Sequence, residues 1–142
     1  MKLLIVEDDS IQAEYIETEL KQLMPYIKTK RISTESKFYD FLEEIDKNKP
    51  DIILMDIMLR WTDPTRNMPE MPENVKDEGF HLAGSRCEKK LRETKGGENI
   101  PVIIYSVITK DSYNSFTSPE RTKYLNKDFD IKSLRNLIVN FK

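Results

Sequence analysis

The chain has 142 residues and carries 23 Lys and Arg against 25 Asp and Glu, so its net charge of −2 is a small difference between two large populations. Such a length suits one domain with a core of its own, taken as a single unit from residue 1 to residue 142. The longest apolar runs are four residues and no basic run exceeds Lys28 to Arg31, which excludes a membrane protein, whose helices need about 20 apolar residues, and argues against direct nucleic-acid binding.

Met1 and Lys2 precede only four apolar residues, Leu3 to Val6, before Glu7, Asp8 and Asp9. That is too short and too soon acidic for a secretory signal, so a cytoplasmic protein is expected. Leu3 to Val6 reads as a buried strand. Asp9 or Ser10 can cap the helix that follows, in which Ala13, Ile16, Leu20 and Leu23 recur at helical spacing until Pro25. Residues 27–32 alternate as a weaker strand, and Phe38, Phe41, Leu42 and Ile45 mark a second helix closed by Asn48, Lys49 and Pro50. Ile52 to Met55 is a second strong strand and, like the first, ends in an acid, Asp56.

Further along, Phe80, Ala83, Cys87 and Leu91 predict one face of a third helix that Gly96 and Gly97 stop. The lone Cys87 has no partner for an intrachain disulfide and falls on that apolar face as a core residue. His81, the single histidine, sits just inside the same helix and reads as solvated or capping. Val102 to Tyr105, after Pro101, is a third buried strand running into Ser106. Asp111 to Ser118 is so polar that it predicts at most a short helix. Lys123 to Asn126 makes a last strand before Lys127, and Ile131, Leu134, Ile138 and Phe141 a final helix.

The 22 residues between Asp56 and Gly79 break this alternation, since a strand-to-helix loop usually takes about 2 to 6. This insertion, at about 60–78, holds Pro64, Pro69 and Pro72, Met68 and Met71 and the only tryptophan, Trp61. It reads either as a partner-binding patch or as a mobile loop closing on itself, and removing residues 61–75 is expected to spare the chemistry of the rest while weakening a partner interaction.

Strands apolar on both faces and separated by helices predict an α/β fold, a doubly wound five-stranded parallel sheet with helices on both faces. Such sheets bind ligands at the carboxyl ends of their strands. The residues there are Glu7 with Asp8, then Asp56, Ser106 and Lys127. Three carboxylates brought together need a cation, and Mg²⁺ suits hard oxygen donors while bridging to phosphate. An aspartate beside Mg²⁺ and a lysine can attack a phosphoryl group and become an aspartyl phosphate, with both cations neutralising charge in the transition state. Singly the residues say less. Asp9 reads as a helix cap, Ser106 as a strand-end hydroxyl bonded to backbone, and Tyr124 as a half-buried aromatic.

Taken in order, four stretches resemble the response regulator receiver domains of two-component signalling. Leu3 to Asp9 resembles the first strand and acidic pair, Asp51 to Leu59 the phosphoacceptor strand, Pro101 to Ser106 the switch-hydroxyl strand, and Tyr124 to Lys127 the last strand. The resemblance spans the chain apart from the insertion and implies a flavodoxin-like fold. It implies that Asp56 accepts a phosphoryl group from a histidine kinase or histidine phosphotransfer protein, and that Glu7, Asp8, Asp56 and the Met58 carbonyl hold Mg²⁺. It implies also that Lys127 contacts the phosphoryl oxygens, that Ser106 swings toward them, and that Tyr124 turns inward. A downstream protein would then read the face built from the fourth helix, last strand and last helix; homodimerisation stays open.

Three positions depart from the family pattern. Asp128 stands where proline usually follows the lysine, so the Lys127–Asp128 bond is expected to be trans. Val107 replaces a small residue and is expected to crowd the path to Asp56, and Arg60 replaces a proline at the root of the insertion. The expected activity is that of a self-phosphorylating, slowly autodephosphorylating switch rather than a turnover enzyme. The alternatives are a receiver-like interaction module that is not phosphorylated, and a haloacid dehalogenase-type phosphohydrolase, whose second aspartate is here Met58. With the last helix running to Lys142, no output domain is expected, and the chain reads as a stand-alone receiver or a fragment of a larger regulator.

Overall fold

A computed structural model describes residues 1–107, 120–128 and 130–141. Five strands, β1 (Lys2–Val6), β2 (Lys28–Ile32), β3 (Ile52–Met55), β4 (Val102–Ser106) and β5 (Thr122–Asn126), pair in parallel in the order β2-β1-β3-β4-β5. Side chains alternate across the sheet, so the three central strands feed two separate cores. Leu4, Val6, Ile53, Met55, Val102 and Ile104 point to one face, and Leu3, Ile5, Ile52, Leu54, Ile103 and Tyr105 to the other. Both faces of these strands are apolar because both are covered by helices.

Helix α1 (Ser10–Leu23) lays Ala13, Ile16 and Leu20 on the second core, together with Leu134 and Ile138 of the last helix, α5 (Ile131–Asn140). Asp9 is the cap of α1, its carboxylate accepting from Ile11 N at 2.9 Å and Gln12 N at 3.2 Å. On the opposite face, α2 (Glu35–Glu43) contributes Phe38 and Leu42, and α4 (Ala83–Glu93) contributes Ala83, Cys87 and Leu91. Thr34 caps α2 through Lys37 N at 3.2 Å. Ile45 closes this core from a short 3-10 turn beyond α2.

Two expectations need correction. Phe80 is not on the buried face of a third helix: it belongs to a 3-10 turn, Phe80–Leu82, and is 61% exposed. The helix starts only at Ala83, because Gly79, at φ 85°, turns the chain in a conformation that side chains resist. The insertion also holds a short helix of its own, α3 (Glu73–Glu78), which lacks the periodic apolar face by which helices are read, burying Val75 alone. The stretch Asp111 to Ser118 lies outside the described residues.

The root of the insertion is fastened to α2. The first N–H groups of a helix have no intrahelical acceptor, and those of Glu35 and Ser36 donate to the carbonyls of Arg60 and Trp61 at 3.0 and 2.8 Å. Trp61 donates its indole N–H to Pro69 O at 3.0 Å and sets its ring against Tyr39, 5.6 Å between centroids. Beneath lies a buried ion pair, Arg86 to Glu35, with two N–H···O contacts of 2.7 and 2.9 Å, joined by the Tyr39 hydroxyl; Arg86 also reaches Gly79 O at 2.8 Å. The loop thus closes on itself, as one expectation held, and is docked on α2 and α4.

Candidate functional site

Parallel pairing carries the backbone ladder one residue past the strands. Glu7 N donates to Ile32 O at 3.0 Å, Asp56 N to Val6 O at 2.9 Å, and Lys127 N to Ser106 O at 3.0 Å. Glu7, Asp56 and Lys127 are thereby pinned at the carboxyl edge, each one residue beyond its strand. Four apolar residues in β3 end in a turn just beyond, where Gly84 of α4 comes close. A Cβ there would lie 2.6 Å from Ile57 Cα and press on the Asp56 carbonyl oxygen, and Gly84 N donates to Ile57 O at 2.8 Å. Only glycine permits that approach.

The side chains converge. Asp56 and Glu7 are 8% and 5% exposed. Asp56 Oδ1 accepts from Ile57 N at 2.7 Å and Met58 N at 3.4 Å, which fixes the plane of the carboxylate. The Lys127 ammonium donates to Asp56 Oδ2 at 3.1 Å and also to Glu7 Oε1. Burial would lower the lysine pKa, but Asp56 and Glu7 outweigh it and hold it above its ordinary value. Burial, reinforced by the charge of Asp56, pushes the Glu7 carboxyl up to about 7, with Lys127 pulling the other way. One ammonium thus faces two buried carboxylates at once.

Glu7, Asp8 and Asp56 each offer a carboxylate oxygen, all within 4.8 Å of one another. Hard oxygen donors at this spacing fit a small divalent cation such as Mg²⁺. Asp8 is held from outside: Arg60 N donates to its Oδ2 at 3.2 Å, and the Arg60 guanidinium to its carbonyl at 3.2 Å.

No protein-family model matches the chain. The sensory transduction protein LytT of Bacillus anthracis is 27% identical over 143 residues, a match covering 100% of this chain and 47% of LytT. The chain thus spans about half the length of that curated relative. Among solved structures, the signal receiver domain of a Clostridium thermocellum histidine kinase superposes with a TM-score of 0.71 at 17% identity, covering 99% of this chain and 95% of that one. The receiver domain of the Pseudomonas aeruginosa sensor histidine kinase PA1611, crystallised with a magnesium ion in its active-site cleft, gives 0.68 at 18% identity over 99% and 95%. The fold is that of a response regulator receiver domain.

On this receiver fold the other expected residues lie as follows. Ser106, fully buried, ends β4 opposite Asn126 in the register, and its carbonyl accepts from Lys127 N. Tyr124 is half-buried against the first core; its hydroxyl donates to Ser106 O at 3.5 Å and accepts from Asn126 Nδ2 at 3.3 Å. Met58 follows Asp56 with its N–H turned to the carboxylate. No cis peptide bond occurs among the described residues, so Lys127–Asp128 is trans as expected, and Asp128 N instead donates to Asn126 Oδ1 at 2.8 Å. Val107, expected to crowd Asp56, is 57% exposed. Gly84 and the Asp8 contacts of Arg60 escaped the sequence reading, since their partners lie 28 and 52 residues away. Arg60 stood out in the sequence only as a departure from the family pattern.

Proposed function

We propose that the protein is a phosphorylation-dependent signalling switch in which Asp56 accepts a phosphoryl group from a phosphohistidine on a histidine kinase or histidine phosphotransfer protein. The observation that carries this reading is the Lys127 ammonium, 3.1 Å from Asp56 Oδ2 and bonded to Glu7 as well. An oxygen of the Asp56 carboxylate attacks phosphorus as the P–N bond of the donor breaks; its electron pair leaves with the imidazole, which takes up a proton. The Ile57 and Met58 amides keep the nucleophile oriented throughout, and Lys127 moves its charge from the carboxylates to the phosphoryl oxygens.

Glu7, Asp8 and Asp56, together with the Met58 carbonyl, would hold Mg²⁺, which when bound would supply charge neutralisation for the transferring group. Ser106 then turns its hydroxyl to the new anion and Tyr124 follows inward, changing the face that a downstream protein reads. Slow hydrolysis of the acyl phosphate returns Asp56 to its carboxylate and resets the switch.

Incubation with Mg²⁺ and acetyl phosphate, followed by intact-mass measurement, is the direct test. One added phosphoryl group is expected in the wild type and none in Asp56→Asn. A folded wild type that gains no mass and binds no Mg²⁺ would overturn the reading in favour of an interaction module that is not phosphorylated.

A further inference from the structure

We infer that Arg60 is a positioning residue that sets the affinity of the divalent-cation site from within the insertion; the inference rests on the reading above, that Glu7, Asp8 and Asp56 hold Mg²⁺. Arg60 grips Asp8 three ways. Its N–H donates to Asp8 Oδ2 at 3.2 Å, its Nη2 donates to the Asp8 carbonyl at 3.2 Å, and its Nε lies 3.8 Å from Oδ2. The far side of the same guanidinium faces Asp63 of the insertion, with Nη1 3.6 Å from Oδ1. The Arg60 carbonyl meanwhile accepts from Glu35 N at 3.0 Å. One residue therefore links a metal ligand, the insertion and the start of α2.

Backbone and side chain act in opposite senses. The amide N–H orients the Asp8 carboxylate whatever side chain is present. The guanidinium is a positive charge on a carboxylate that a second cation must share, so it opposes Mg²⁺. Because the Arg60 side chain is 48% exposed, the opposition is that of a charge screened by water and salt rather than of a buried ion pair. Removing it should tighten Mg²⁺ about three- to tenfold at low ionic strength, and the gain should fade as salt screens it.

The test is a calorimetric titration of Mg²⁺ into wild type, Arg60→Gln and Arg60→Lys, at about 0.02 M and about 0.5 M added KCl. Far-UV circular dichroism confirms that each variant is folded. Expected are tighter binding by Arg60→Gln at low salt, a gap that closes at high salt, and near wild-type affinity for Arg60→Lys, which keeps the charge. Unchanged or weaker binding by Arg60→Gln, a gap that persists at high salt, or Arg60→Lys as tight as Arg60→Gln would each overturn the inference while leaving the metal site standing. A folded wild type that takes up no Mg²⁺ would overturn the metal reading and this inference together.

Discussion

Lys127 sits between Asp56 and Glu7 while being only 11% exposed, so its ammonium offsets two carboxylates that water barely reaches. Replacing it should matter more for chemistry than its single charge suggests, because in the proposed reaction the same group meets the phosphoryl oxygens. Lys127→Met is expected to slow phosphorylation by acetyl phosphate at least about 100-fold, as loss of one preorganised donor typically does; stopped quenching with intact-mass analysis reads the rate. Gly84 acts by what it lacks. Gly84→Ala should drive α4 off the turn beyond β3, with a stability loss of about 1 to 3 kcal/mol in urea unfolding and slower phosphorylation of the displaced Asp56. Stability and rate left at wild-type levels would show that the turn can give way without cost.

At the scale of elements, α2, α4 and the insertion share the buried Glu35–Arg86 pair, both side chains at most 6% exposed. Removing one partner strands the other charge, so Arg86→Met should cost about 3 to 5 kcal/mol, while the double replacement Glu35→Leu with Arg86→Met should recover most of it; urea midpoints decide. Deletion of residues 61–75 removes the Trp61 carbonyl that serves Ser36 N and the buried Val75, so a lower urea midpoint is expected of the deleted protein. On the other face, Glu17 of α1 meets Thr29 and Arg31 of β2, and the Thr29 hydroxyl, helped by Arg31 and Lys21, holds its carboxyl below the usual range against the opposing effect of burial. A depressed pKa gives stability that is present above the unfolded value and lost as pH falls through the folded one. Glu17→Gln should flatten that acid limb in unfolding measured between about pH 5 and pH 3.

Over the whole molecule, the sheet gathers Glu7, Asp8 and Asp56 from two strand ends into one cluster of carboxylates. A cation that binds only the folded state must stabilise it by mass action, by about 1.4 kcal/mol at ten times its Kd. Thermal unfolding should therefore shift upward on adding Mg²⁺, and the shift should vanish in Asp8→Asn. Most of this organisation could be read from residues alone: the runs Leu3 to Val6, Ile52 to Met55 and Val102 to Tyr105 announce buried strands, and each ends in a predicted site residue. Phe80 misled because an aromatic at the right spacing before Ala83 mimics a helix face, although Gly79 had already turned the chain.

Apolar runs and their periods are local properties, and the rule that parallel sheets expose their carboxyl edge is general. From these alone the sequence determined a doubly wound sheet and the gathering of Glu7, Asp8, Asp56 and Lys127 at one edge. Tertiary structure decided how those groups are held: the glycine contact behind Asp56, the Arg60 grip on Asp8, and the docking of the insertion over Glu35 and Arg86. Each of these joins residues far apart in the chain through shape and hydrogen-bond geometry, and no periodic pattern along the chain encodes such a pairing.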